Sequence, residues 1–165
     1  MTEPIHDPVS RTHYTFERDG ENLIVYTRLE PGGGLPPHLH PVQEERWSVV
    51  EGEVRFQLGS QKRVIGPEDG EIVVDPNTKH GLKAVSDRDA QLRCVVVPAL
   101  GLQAFLEESA AAARAGMFMR GGIPRGLRGA RWAARFLKKH SDETVMLSPP
   151  PVVQRALIAL LARES

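Results

Sequence analysis

Two histidines two residues apart, His38 and His40, and the adjacent glutamates Glu44 and Glu45 stand within one short run of this 165-residue chain. Residues i and i+2 of a β-strand leave the same face, so an extended chain turns both imidazoles one way. Pro36 and Pro37 stand just before them, favour extension and oppose a helix. The run Glu45-Arg46-Trp47-Ser48-Val49-Val50 then alternates. Glu45, Trp47 and Val49 share one face, and Glu44, Arg46 and Ser48 share the other. If Trp47 and Val49 are buried, Glu45 is carried in with them. A carboxylate in an apolar interior is costly unless something pairs with it, and a divalent cation held by His38 and His40 would do so. Glu44 faces outward in this register and is not expected to be a ligand.

The stretch resembles the first motif of the cupin superfamily. That motif runs Gly, five residues, His-x-His, three or four residues, Glu, six residues, Gly, and Gly32, His38, His40, Glu45 and Gly52 meet every spacing. The second cupin motif supplies a histidine shortly after a Pro-x-Gly turn, and Val73-Val74-Asp75-Pro76-Asn77-Thr78-Lys79-His80 is similar to it. Three positions depart from the pattern. Asp75 replaces proline, Asn77 replaces glycine, and Ala84 replaces an asparagine. Asn77 is a mild change, because asparagine tolerates the left-handed backbone better than most residues. The resemblance implies a complete ligand set of His38, His40, Glu45 and His80 around one divalent transition ion.

Such a set needs strands to position it. Thr12–Arg18 and Leu23–Leu29 read as a hairpin turning at Asp19-Gly20, and Pro31 with the triple glycine Gly32-Gly33-Gly34 breaks the chain before the histidines. Strands are then expected at 53–58, 62–65, 71–74, 81–85 and 91–97, with residues 1–10 a loose arm. Short strands without intervening helices predict a mainly β, antiparallel sandwich or barrel. The resemblance implies the cupin-type jelly-roll barrel, covering roughly Thr12–Pro98.

After Pro98 the period changes from two to 3.6. Helices are expected at 102–115, 124–139 and 152–163, so the chain divides into a barrel with its N-terminal arm (1–99) and a C-terminal α-helical extension (100–165). At ~100° per residue, Arg128, Arg131, Arg135, Lys138 and Lys139 fall in one arc of the second helix. Val153, Leu157, Leu160 and Leu161 form an apolar stripe on the third, which is expected to pack on the barrel or across a homodimer.

Composition bounds the remaining classes. Lys plus Arg equals Asp plus Glu at 21 each, which argues against a nucleic-acid partner. The distribution is uneven, with 11 basic and 16 acidic residues to Ala99, then 10 basic and 5 acidic. The basic arc is a solvated face in the ordinary reading and a membrane-surface contact through helix 124–139 in the sharper one. The single cysteine, Cys94, lies in an apolar run and forms no intrachain disulfide, which suits a reducing cytoplasm. The first residues lack a signal peptide's basic start and apolar core, and no segment reaches transmembrane length.

No serine or cysteine has an activating context, and the triple glycine is followed by no Lys-Ser/Thr pair, so neither a nucleophile nor a phosphate loop is indicated. The ligand set suits Fe, Mn, Ni, Co or Zn. Two functions follow from it. One is a metal-dependent enzyme, an oxidoreductase or isomerase, acting on a small oxygenated organic molecule. The other is a non-catalytic small-molecule binding or sensing protein. Tyr26 and His13 lie on early strands whose direction the spacing does not establish, and both stand outside the expected site.

Overall fold

A strand with one face in a core alternates buried and open side chains, and this period runs through most of the chain up to Val97. Thr12, Tyr14 and Phe16 are buried while His13 and Thr15 between them are half-open. The computed structural model describes residues 2–162. Its first strands are β1 (Ile5–Asp7), β2 (Thr12–Asp19), β3 (Asn22–Leu29), β4 (Gly34–Leu39) and β5 (Glu44–Glu51). They are followed by β6 (Val54–Leu58), β7 (Gln61–Ile65), β8 (Glu71–Val74), β9 (His80–Ala84) and β10 (Ala90–Val97). The extension adds α1 (Leu102–Arg114), α2 (Gly126–Lys139), β11 (Val145–Met146) and α3 (Pro151–Leu161).

Two antiparallel sheets face each other in a jelly-roll arrangement. One has the order β1-β2-β3-β10-β5-β8 and the other β11-β4-β9-β6-β7. Between them lies a core that includes Phe16, Leu23, Leu29, Val54, Phe56 and Leu92. Trp47 of the first sheet meets Phe56 of the second edge to face at 6.3 Å. The β2–β3 hairpin turns at Gly20-Glu21, with Asp19 opposite Asn22 and Gly20 at φ +59°. Glycine at the first central position suits the right-handed twist of the strands. The triple glycine has a packing reason as well. A Cβ on Gly33 would overlap the carbonyl of Arg11, and one on Gly34 the carbonyl of Leu82.

Two expectations need correction. Residues 5–7 are not a loose arm but an edge strand, with Ile5 opposite Tyr14 and Asp7 opposite Thr12. Three residues are too few to carry a period, so only pairing with β2 reveals them. Residues 100–162 are not wholly helical either, since β11 pairs with β4 and sets Met146 opposite His38.

α1 ends one residue before the expected 115, at a glycine turn. Gly116 takes φ +70°, its N–H donates to the Ala113 carbonyl, and that of Met117 donates to Ala112, a glycine-terminated helix end. α2 turns its apolar side inward, where Phe136 meets Phe105 at 4.8 Å and stacks on Trp132 at 4.7 Å. Arg128, Arg131, Arg135, Lys138 and Lys139 are all exposed. α3 packs beside α2, but the buried position is Gln154, and Val153, Leu157 and Leu160 of the anticipated stripe are exposed. The expected end of this helix, Arg163, lies outside the described residues. No helix among them is long and apolar enough to cross a membrane.

Candidate metal centre

The two sheets contribute unequally to one cluster. β4 carries His38, His40 follows directly after β4, and His80 opens β9 opposite His38. Glu45 comes from the facing sheet, where β5 lies between β8 and β10 and Glu45 pairs with Val74 and Val96. All four side chains are buried, and one ligand atom of each lies within 4.8 Å of the others.

The neighbours of Glu45 divide as strand parity requires. Glu45 is 3% exposed, whereas Glu44 faces out and accepts a hydrogen bond from Arg46 Nε at 2.7 Å. Trp47, two residues along and on the same face, donates its indole N–H to Glu45 Oε2 at 2.8 Å. The second motif locks to the first through Asn77. It adopts φ +61°, donates its backbone N–H to the His40 carbonyl at 2.7 Å, and donates Nδ2 to the Pro41 carbonyl at 3.1 Å.

Each imidazole is oriented by its Nδ1. His38 Nδ1 stands 2.9 Å from the Pro36 carbonyl, His80 Nδ1 2.9 Å from that of Thr78, and His40 Nδ1 2.8 Å from that of Glu143. A carbonyl only accepts, so all three Nδ1 atoms carry the proton and a neutral ring presents a lone pair at Nε2. His40 Nε2 lies 3.2 Å from Glu45 Oε1 and His80 Nε2 lies 2.8 Å from Oε2, yet neither buried nitrogen makes a hydrogen bond. Ligands in adjacent positions on an ion with bonds near 2.1 Å are about 3 Å apart. The arrangement therefore fits a divalent cation. The orphaned nitrogens supply lone pairs, the carboxylate supplies charge, and carbonyls behind the rings set the tautomer as in known metal sites.

Without metal the groups of the cluster shift one another's protonation. Burial would raise the Glu45 carboxyl, but pairing with His40 and His80 holds it well below the usual range. Burial opposes charge on His40 as well, and Glu45 outweighs it, so the net shift is upward. His38 is pushed down to about 3 by burial and then by the other two histidines. The carboxylate thus favours charge on His40, while burial and the neighbouring rings disfavour it on His38.

Contacts from the extension were not visible in the local sequence. The Glu143 carbonyl and the Thr144 hydroxyl, 3.3 Å away, both touch His40 Nδ1 from more than a hundred residues along the chain. Gln43, fully buried beside His40, donates to the carbonyls of Pro98 and Ala99. No spacing rule points to these three residues. Tyr26 lies on the outside and donates to Glu17 at 3.2 Å, and His13 is also outside the cluster. Cys94 is buried among core strands, and burial pushes its thiol well above the usual range, so it packs as a small hydrophobe.

Comparison with known proteins agrees with this architecture. The family model described as the cupin domain matches residues 25–97. A 55-residue stretch, 33% of this chain, is 36% identical to an oxidoreductase of Arthrobotrys oligospora and spans only 22% of that relative. Among solved structures, an RmlC-like cupin from Shewanella frigidimarina superposes with a TM-score of 0.51 at 21% identity, covering 58% of this chain and 84% of its own. KdgF from Halomonas gives 0.50 at 21% identity over 57% and 84%. At such identity these structures speak for the fold alone. With both motifs on one buried cluster between two jelly-roll sheets, residues 25–97 match the cupin-domain model and this part of the chain carries the cupin-type jelly-roll fold.

Proposed function

We propose that His38, His40, Glu45 and His80 hold one divalent transition ion, of Fe, Mn, Ni, Co or Zn, and that the protein is a metal-dependent enzyme acting on a small oxygenated organic molecule, of dioxygenase or isomerase type. The observation that carries this reading is the pair of buried, unpartnered Nε2 atoms aimed at a buried carboxylate. When bound, such an ion supplies Lewis-acid polarisation and leaves positions for substrate oxygens beside its four protein ligands. The chain's own part is orientation and exclusion of water. Trp47 holds Glu45, three carbonyls hold the rings, and the sheets keep the carboxylate dry.

The test is anaerobic purification with elemental analysis. Wild type is expected to carry about one ion per chain, and the His38→Ala, His80→Ala double variant very little. Stoichiometric metal in that variant overturns the assignment. Turnover of a diketone, catechol or hydroxy acid by metal-loaded protein supports the enzyme, and saturable binding without turnover supports the second reading. That reading is a binding or sensing protein, favoured by the contact of Glu143 and Thr144 with His40, through which the extension (100–165) senses the barrel (1–99).

The same proposal has the chain cytoplasmic, consistent with the lone buried thiol of Cys94, and homodimeric. The exposed apolar side chains Val153, Leu157 and Leu160 support pairing between copies. The basic face of α2 is proposed as a solvated surface, and binding to anionic vesicles would reassign it to a membrane contact.

A further inference from the structure

His6 on β1 and His13 on β2 are direct cross-strand partners, and their rings stack with centroids 4.3 Å apart and planes 14° from parallel. Thr12 and Tyr14 on either side of His13 point into the core, so this pair occupies the outer face of the sheet. Glu30, just past β3, is brought to the pair because its N–H donates to the Arg11 carbonyl. Glu30 Oε1 lies 2.8 Å from His13 Nε2 and 3.6 Å from His6 Nε2, and the latter nitrogen has no hydrogen-bond partner.

We propose that His6, His13 and Glu30 form a second site for a divalent transition ion of the zinc or copper type, on the sheet surface and weaker than the barrel centre. Two imidazoles and a carboxylate favour such ions over calcium or magnesium. The 2.8 Å approach already matches the ~3 Å separation of adjacent ligands, and His6 has to close by roughly half an ångström. Partial exposure and missing ligands weaken the site. The side chains of His6 and Glu30 are 42% and 30% open, only three protein groups converge, and Arg11 Nε stands 3.5 Å from Glu30 Oε2 as a competing cation. The guanidinium of Arg114 is engaged by the His6 carbonyl at 2.6 Å. An ion here staples β1, β2 and the turn after β3. That turn leads into β4, which carries His38.

The full chain, stripped with chelator, is titrated with Zn(II) by calorimetry. Two classes of site are expected in wild type. The His6→Ala, His13→Ala double variant is expected to lose the weaker class by at least tenfold and keep the tighter one. The His38→Ala, His80→Ala variant is expected to keep only the weaker class, so that failure of the barrel assignment is distinguishable from failure of this one. Arg11→Asn, tolerant of the left-handed φ of +56° at that position, is expected to tighten the weaker class several-fold. Glu30→Gln, with a thermal melt matching wild type, guards against loss through misfolding and is expected to weaken it as the histidine variants do. A single class of site in wild type that survives in the His6→Ala, His13→Ala variant, or a weaker class unchanged in both that variant and Glu30→Gln, overturns the proposal.

Discussion

His80 lies 2.8 Å from Glu45 and His13 lies 2.8 Å from Glu30, yet the two contacts differ in almost everything else. The first pair is 1% and 4% exposed, the second 20% and 30%. In the barrel every Nδ1 is pinned by a carbonyl, the carboxylate is held by an indole, and the Nε2 atoms of His40 and His80 are closed off from the surface. On the surface, water can satisfy whatever the protein leaves open. Two unit charges 4 Å apart interact by about 1 kcal/mol in water and about 4 kcal/mol at an effective dielectric of 20. Similar residues at the same distance therefore make a demanding site when buried and an optional one when exposed.

The largest test of that contrast is removal of each carboxylate. Glu45→Ala is expected to lower metal affinity at least about a hundredfold, and to cost the metal-free protein about 3 to 5 kcal/mol, because Trp47 and a charged imidazole lose their buried partner. Glu30→Ala is expected to cost less than about 1 kcal/mol. Equal losses in urea unfolding would erase the distinction.

Acid is the next lever. His38 has a value near 3 in the folded chain against an ordinary 6.5, so between those limits the unfolded chain binds the extra proton. Stability of the metal-free protein should then fall as pH drops from about 6.5 toward 3, by up to about 1.4 kcal/mol per pH unit from this group. His38→Gln is expected to remove that component of the slope. An unchanged slope would mean that His38 is not desolvated as described.

A smaller effect is expected from the extension. A chain ending at Asp142 lacks the Glu143 carbonyl and Thr144 hydroxyl on His40, and Thr144→Val lacks only the hydroxyl. The truncation should weaken Zn(II) binding in the barrel by about tenfold, the usual scale for groups that orient a ligand. The surface site should be unaffected in the same titration. Thr144→Val should fall between the truncation and wild type.

The smallest effect belongs to Glu44→Ala. Glu44 pairs with exposed Arg46, and its loss is expected to change metal content less than about twofold and stability by under about 1 kcal/mol. A larger loss of metal for Glu44→Ala than for Glu45→Ala would reverse the register of β5.

The sequence by itself determined what short spacing can determine. A period of two places Glu45 with Trp47 and Val49, because successive side chains of a strand alternate whatever the strand pairs with. Glycine and asparagine mark the turns at Gly20 and Asn77 because the left-handed backbone admits few other residues. Only the tertiary structure decided which faces met. β1 exists because β2 offers it an edge, the histidines of one sheet meet Glu45 of the other across the core, and Glu143 arrives at His40 through β11 pairing with β4. The apolar stripe of α3 was legible as a stripe, but its exposure was not, since a period names a face and packing chooses which face is covered. Contacts between residues a hundred positions apart leave no local periodicity, and the groups that orient His40 are of that kind, whereas His38, His80 and Glu45 are held by groups two residues away.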